Sequence, residues 1–194
     1  MSEGNSKSKA RWARFCGWVL KMMGWTRVGG PVPEKKAVLL GVPHTSLWDF
    51  VVSYFFYTSY GKQKARVIVK KELFFWPLGG LLRKMGGIPV DRTNATTLVR
   101  SLISEMEKED EFILAIAPEG TRKPVKRWKT GFHTIAKETG VPVYLAYFDW
   151  GTKRISCGEK FTLTDDARAD MARIQQIYED MHIQGKHPER FITH

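Results

Sequence analysis

Apolar positions along the 194-residue chain fall into two alternating kinds of stretch. The first kind is short and rich in β-branched residues: Ala37–Val42, Ala65–Lys70, Gly87–Arg92, Glu111–Ala117 and Val141–Phe148. Each has the length and composition of a buried strand. Arg154–Cys157 and Lys160–Leu163 are shorter candidates of the same type. The second kind is helical. Phe50–Tyr57 is too long and too apolar for a loop, and Leu98, Leu102, Ile103 and Met106 share one face of a segment capped by Thr93 or Asn94. A further helix is expected over 130–139, stopped by Gly140. Thr164 is placed to cap a last one carrying Ala167, Met171, Ile174, Tyr178 and Met181. Strands alternating with helices predict an α/β fold: a single domain with a mostly parallel central sheet flanked by helices.

The amino-terminal segment follows a different pattern. From Ala10 to Trp25, the residues Trp12, Phe15, Cys16, Val19, Met22 and Met23 fall on one arc of about 120°, with Arg14 and Lys21 opposite. Aromatics on one side and cations on the other suit an amphipathic helix lying in a membrane interface, and Trp12, Trp18 and Trp25 strengthen that reading over an ordinary core-facing helix. Gly29 to Pro33 ends it, so residues 1–30 are read as an N-terminal membrane-association segment ahead of a 31–194 domain. Phe74–Leu82 is unusually apolar for a connection, suited to lining a pocket, touching lipid or packing in the core. No run reaches the ~18 apolar residues that a membrane span needs.

Composition changes this picture in one respect. Lys and Arg number 31 against 20 Asp and Glu, a net charge of +11, while the apolar share of 43% is ordinary. Such a balance calls for an anionic partner: an anionic membrane surface, a phosphorylated substrate, an acidic protein or nucleic acid. Cys16 and Cys157 fit no metal or redox spacing, and the chain starts without a signal peptide, which points to a reducing cytoplasm.

The candidate chemistry sits where the strand 37–42 hands over to the helix beginning near Asp49. His44 and Asp49 bring an imidazole and a carboxylate into reach of each other. A carboxylate that fixes the tautomer of a histidine makes a general base. Ser46 and Asp49 also match a capping box, which would give the acid a purely structural duty. A second stretch, Pro118-Glu119-Gly120-Thr121-Arg122, follows the strand 111–117 and belongs at the carboxyl edge of the sheet, where ligands gather. Gly120 lets the backbone approach an anion, Thr121 supplies a hydroxyl, and Arg122 supplies a fork for phosphate. Five of the eight residues from Arg122 to Lys129 are basic.

Together, His44-x4-Asp49 and Glu119-Gly120-Thr121-Arg122 resemble the glycerolipid acyltransferases, the family that includes 1-acyl-sn-glycerol-3-phosphate acyltransferases. Gly87–Arg92 is similar to that family's second block, and Lys129–Ala136 to the helix start after its third. Pro43, Ala117 and Leu145 depart from its usual Asn, Phe and Pro, at positions that shape a pocket rather than carry chemistry. The resemblance implies an acyltransferase domain over 31–194 that moves a fatty acyl group from acyl-CoA or acyl carrier protein to a hydroxyl of a lysophosphatidate-like glycerophospholipid precursor. His44 and Asp49 would be catalytic, without a covalent acyl-enzyme. Arg92, Glu119, Gly120, Thr121 and Arg122 would bind substrate. It implies no cofactor beyond the thioester co-substrate and no metal. The expected partners are a lipid acceptor, the acyl donor and an anionic membrane surface, not nucleic acid. The expected place is the inner face of the cell membrane, held peripherally. Two rivals remain: a basic nucleic-acid-binding protein, with Trp128 inside the cationic run, and a catalytically inactive membrane adaptor of the same fold.

Overall fold

The computed structural model describes residues 3–61, 65–91 and 94–194, the first four of these by backbone only. In chain order come α1 (Glu3–Met22), β1 (Thr26–Val28), β2 (Lys36–Leu40), α2 (Trp48–Thr58), β3 (Ala65–Lys70), α3 (Leu78–Lys84) and β4 (Gly87–Val90). Then follow α4 (Ala95–Lys108), β5 (Phe112–Ile116), α5 (Gly131–Thr139), β6 (Val143–Tyr144), β7 (Tyr147–Asp149), β8 (Arg154–Ser156), β9 (Lys160–Phe161) and α6 (Ala167–Asp180). The main sheet has the order β4-β3-β5-β2-β6-β9, parallel except for β9. A small second sheet, β1-β8-β7, is joined to it by one bridge between Val42 and Tyr147. The fold is mixed α/β, as expected.

Alternation along β2 explains why the sheet is buried on both faces. Val38 and Leu40 point into a cluster with Leu102, Met106, Phe132, Ile135 and Ile174, from α4, α5 and α6. Ala37 and Leu39 point the other way, into a cluster with Leu20, Val52 and Phe56 from α1 and α2. Side chains of successive strand residues face opposite sides, so a strand covered twice is apolar throughout, as parallel strands are.

Helix ends follow from local chemistry. Asn94 takes the Thr97 N–H at 3.0 Å and starts α4. Gly140, with φ 69°, ends α5. At α6 the cap is Asp166, which accepts from Arg168 and Ala169, and not Thr164.

Two stretches read as single units divide. Val141–Phe148 becomes β6 in the large sheet and β7 in the small one: the Leu145 N–H still follows β9, bonded to the Glu159 carbonyl, and from Tyr147 the chain pairs with β8. The apolar arc of α1 divides too. Of its residues Cys16 is buried, Val19 and Met23 are half-buried, and Trp12, Phe15 and Met22 remain exposed, while Ala13 and Leu20 outside the arc are buried; the rings of Trp12, Phe15 and the exposed Trp18 stack in sequence. No helix among the described residues is long and apolar enough to cross a membrane.

Candidate active site

Register places the site. β2 and β5 are adjacent and parallel, with Leu40 opposite Ile116. The chain leaving each strand at its carboxyl end must therefore run side by side with the other. His44 lies four residues past Leu40, and Glu119 lies three past Ile116. They meet: the His44 main-chain N–H donates to Glu119 Oε1 at 2.8 Å.

Asp49, in the first turn of α2, is buried. Its Oδ2 accepts the N–H groups of Thr45 and Ser46, each at 2.7 Å, and lies 3.5 Å from His44 Nδ1. Its Oδ1 accepts the Trp150 indole N–H at 2.8 Å. The capping duty and the pairing with His44 are thus carried by one carboxylate at once. Its bond to the Ser46 N–H is the returning half of the expected capping box, but the Ser46 hydroxyl takes the Trp48 N–H and the helix N-cap is Leu47, so the box is incomplete, and the same oxygen faces the imidazole. At 3.5 Å the His44 contact is longer than a formed hydrogen bond, and general-base pairs commonly close up on binding substrate. His44 itself keeps 27% of its side chain exposed, and its Nε2 has no partner among the described residues.

Glu119 is buried behind this loop. Burial pushes its carboxyl up to about 7, against the opposing pull of the His44 N–H and the His44 charge. Its second oxygen, Oε2, is buried with no hydrogen-bond partner among the described residues. Expected as a substrate contact, Glu119 bonds the protein itself, at the main chain of His44.

The rest of the second stretch turns outward. Gly120 has φ 66°, so the turn calls for glycine. Thr121 Oγ1 accepts the Lys123 N–H at 3.2 Å. Arg122 is exposed, as are Lys123, Lys126, Arg127 and Lys129. Arg92 lies outside the described residues. Trp128 does not share the exposure of its neighbours. It is buried against Tyr178 and Phe191 and donates to the Ile192 carbonyl, so its ring cannot stack on a base. Among the described residues no group of His, Cys, Asp and Glu is arranged to hold a metal ion.

Beside the loop, between α2 and the sheet, lies a cavity of about 350 Å³. Gly41 and Phe50, on either side of the His44–Asp49 turn in sequence, are in its lining with Tyr57, Phe148 and Cys157, and Lys9, Trp12, Lys84 and Met85 bring α1 and the end of α3 to it. Its size falls in the range of small-molecule sites, which run from ~300 to ~1,000 Å³.

Residues 26–148 match the family model described as Acyltransferase. The chain belongs to the acyltransferase family. The match covers more than half of the chain and includes both stretches at this edge, so acyl transfer is the activity in question. No curated protein and no solved structure matches the acyltransferase. Trp150, two residues beyond the match, is the site residue that the sequence did not reveal. It follows a strand and sits in no motif, so only the fold brings it to Asp49.

Proposed function

We propose that this acyltransferase moves a fatty acyl group from a thioester, on CoA or acyl carrier protein, to a hydroxyl of a lysophosphatidate-like glycerophospholipid. The observation that carries the reading is the largely apolar cavity whose lining includes Gly41 and Phe50, the residues that flank in sequence the turn where His44 faces the buried Asp49 carboxylate. A fatty chain needs such a lining, and its reactive end must come out at the base.

In this reading His44 Nε2 takes the proton of the acceptor hydroxyl as its oxygen bonds to the thioester carbonyl carbon. Asp49 holds the imidazolium through Nδ1. When the tetrahedral intermediate collapses, the C–S bond breaks and the proton passes from Nε2 to the departing thiolate. No acyl-enzyme forms. Arg122 is assigned to the acceptor phosphate, where a guanidinium can make two parallel hydrogen bonds. Labelled acyl thioester offered with lysophosphatidate tests this. Arg122→Ala should raise the KM for the acceptor while the donor's KM changes little, and Arg122→Lys should recover part of the loss. Transfer to a phosphate-free acceptor at the same efficiency would exclude a phosphorylated glycerolipid.

Peripheral attachment belongs to the same proposal. Trp12, Phe15, Trp18 and Met22 on α1 are exposed, and Phe75 and the 91%-exposed Trp76 precede α3. Trp12 on α1 lines the cavity as well, as does Met85 at the far end of α3. Replacing Phe15, Trp18 and Met22 together by Ser should weaken binding to anionic vesicles by about tenfold or more without changing the fold. Unchanged co-sedimentation would mean that α1 is not the anchor.

A further inference from the structure

Three N–H groups and an imidazole converge on the Asp49 carboxylate. Thr45, Ser46 and His44 lie against Oδ2, and Oδ1 belongs to Trp150 alone among the described residues. A carboxylate turns easily about its last bond. If only Oδ2 were held, the plane of the group could rock and carry that oxygen off the His44 line. The indole N–H at 2.8 Å fixes the second oxygen and with it the plane.

Trp150 is in turn held from several sides. Its main-chain N–H donates to the Gln184 carbonyl at 2.8 Å. Trp25 meets its ring edge-on at 5.0 Å, and the Lys153 and Lys186 ammonium groups lie 4.2 and 5.0 Å from its centre. The turn after it is fixed by Asp149, which accepts from Gly151, Thr152 and Gln184. The segment carrying Gln184 and Lys186 also closes on the catalytic loop. His187 N–H donates to Thr45 Oγ1 at 3.3 Å, and a Cβ on Gly185 would lie 2.6 Å from the Thr45 side chain.

We propose that Trp150 is a positioning residue for the His44–Asp49 pair, held in place by the carboxyl-terminal segment 184–187. It touches no reacting atom and acts through Asp49. The inference rests on His44 being the base, as proposed above.

Trp150→Phe keeps an aromatic ring for Trp25, Lys153 and Lys186 and removes the N–H. The expected result is a loss in kcat of about 10–100-fold, the scale of one hydrogen bond to a charged group, with KM for donor and acceptor little changed. Asp49→Asn supplies the second arm. An amide has one acceptor oxygen, and the Thr45 and Ser46 N–H groups compete for it. Trp150 then has no bond left to lose, so adding Trp150→Phe to Asp49→Asn should cost less than about threefold. Trp25→Phe, which alters the packing around Trp150 and removes no bond to Asp49, is the packing control and should leave kcat near wild type.

The proposal is overturned if Trp150→Phe keeps wild-type kcat, if its loss multiplies fully onto that of Asp49→Asn, or if Trp25→Phe loses as much. Should Trp150→Phe not fold, exchange of the indole N–H protons decides. Among the protected ones of the seven, one should exchange faster in Asp49→Asn while that of Trp128, bonded to the Ile192 carbonyl, does not, and seven unchanged rates overturn the assignment. Failure of the base assignment is separate: His44→Ala would then retain turnover, whatever Trp150 does.

Discussion

His44 lies 3.5 Å from Asp49 with 27% of its side chain in solvent, and His133 lies 3.2 Å from Asp170 with 8%. Both aspartates are buried and both are crowded by donors. Asp170 takes the Thr164 N–H at 2.7 Å, the Thr164 hydroxyl at 3.0 Å and Arg173 at 3.0 Å. The difference is in what is left over. His133 spends Nε2 on Asp170 and on the Thr164 carbonyl, inside the joint between α5 and α6. His44 turns Nδ1 to its aspartate and keeps more than a quarter of its side chain in solvent. A His–Asp pair serves as a base only when one ring nitrogen is held and the other can be reached. The first pair can act on a substrate, and the second joins two helices.

The comparison is broken most directly by removing each imidazole. His44→Ala should lower kcat by about 10²–10⁴, the scale of a lost general base, and leave the melting temperature close to wild type. His133→Ala should show the opposite: turnover per folded molecule near normal, and a fold weakened by about 3 kcal/mol, because Asp170 keeps its burial and loses a partner. For a chain of this length that is roughly 6–12 °C in Tm. Activity assays beside thermal melts on both variants separate the roles. If His133→Ala abolishes turnover without loss of Tm, the pair was assigned wrongly.

Much of this contrast can be read in the sequence, and the reasons for the remainder are physical. His44 and Glu119 follow strand ends and Asp49 opens the next helix, where a motif and a burial change coincide, so the edge of the sheet was legible. That Glu119 supports the main chain of His44 depends on the pairing of β2 with β5, which no local pattern encodes. Trp150 reaches Asp49 across 101 positions of chain. β1, Thr26–Val28, is too short and too exposed to carry an alternation, so its strand character exists only through β8. The division of Val141–Phe148 was hidden because both halves are buried, one in each sheet. The arc of α1 leaves its partner open for a related reason. Hydrophobicity marks residues that leave water, and it does not say whether protein or lipid receives them.

The smallest effect expected concerns the acid behind each histidine, and it sharpens the contrast. The His44 N–H is held by Glu119, whereas the His133 N–H goes to the Thr130 carbonyl of its own helix. Only the first arrangement titrates. Burial raises the Glu119 carboxyl from 4.5 to about 7 in the folded chain. Below the lower value folded and unfolded chains are both protonated there. Between the two values the folded chain binds a proton that the unfolded one has released, so stability falls as pH rises through this window and levels off above it. Glu119→Gln keeps an oxygen for the His44 N–H and removes the titration. The difference in Tm between wild type and Glu119→Gln should therefore move against the wild type by on the order of 5 °C from pH 5 to pH 8. Turnover should change far less than in His44→Ala, since carboxyl, carboxylate and amide all accept that N–H. Parallel melting curves across the range would show that Glu119 does not hold a proton near neutrality. A loss of turnover as large as that of His44→Ala would give Glu119 a direct part in the chemistry.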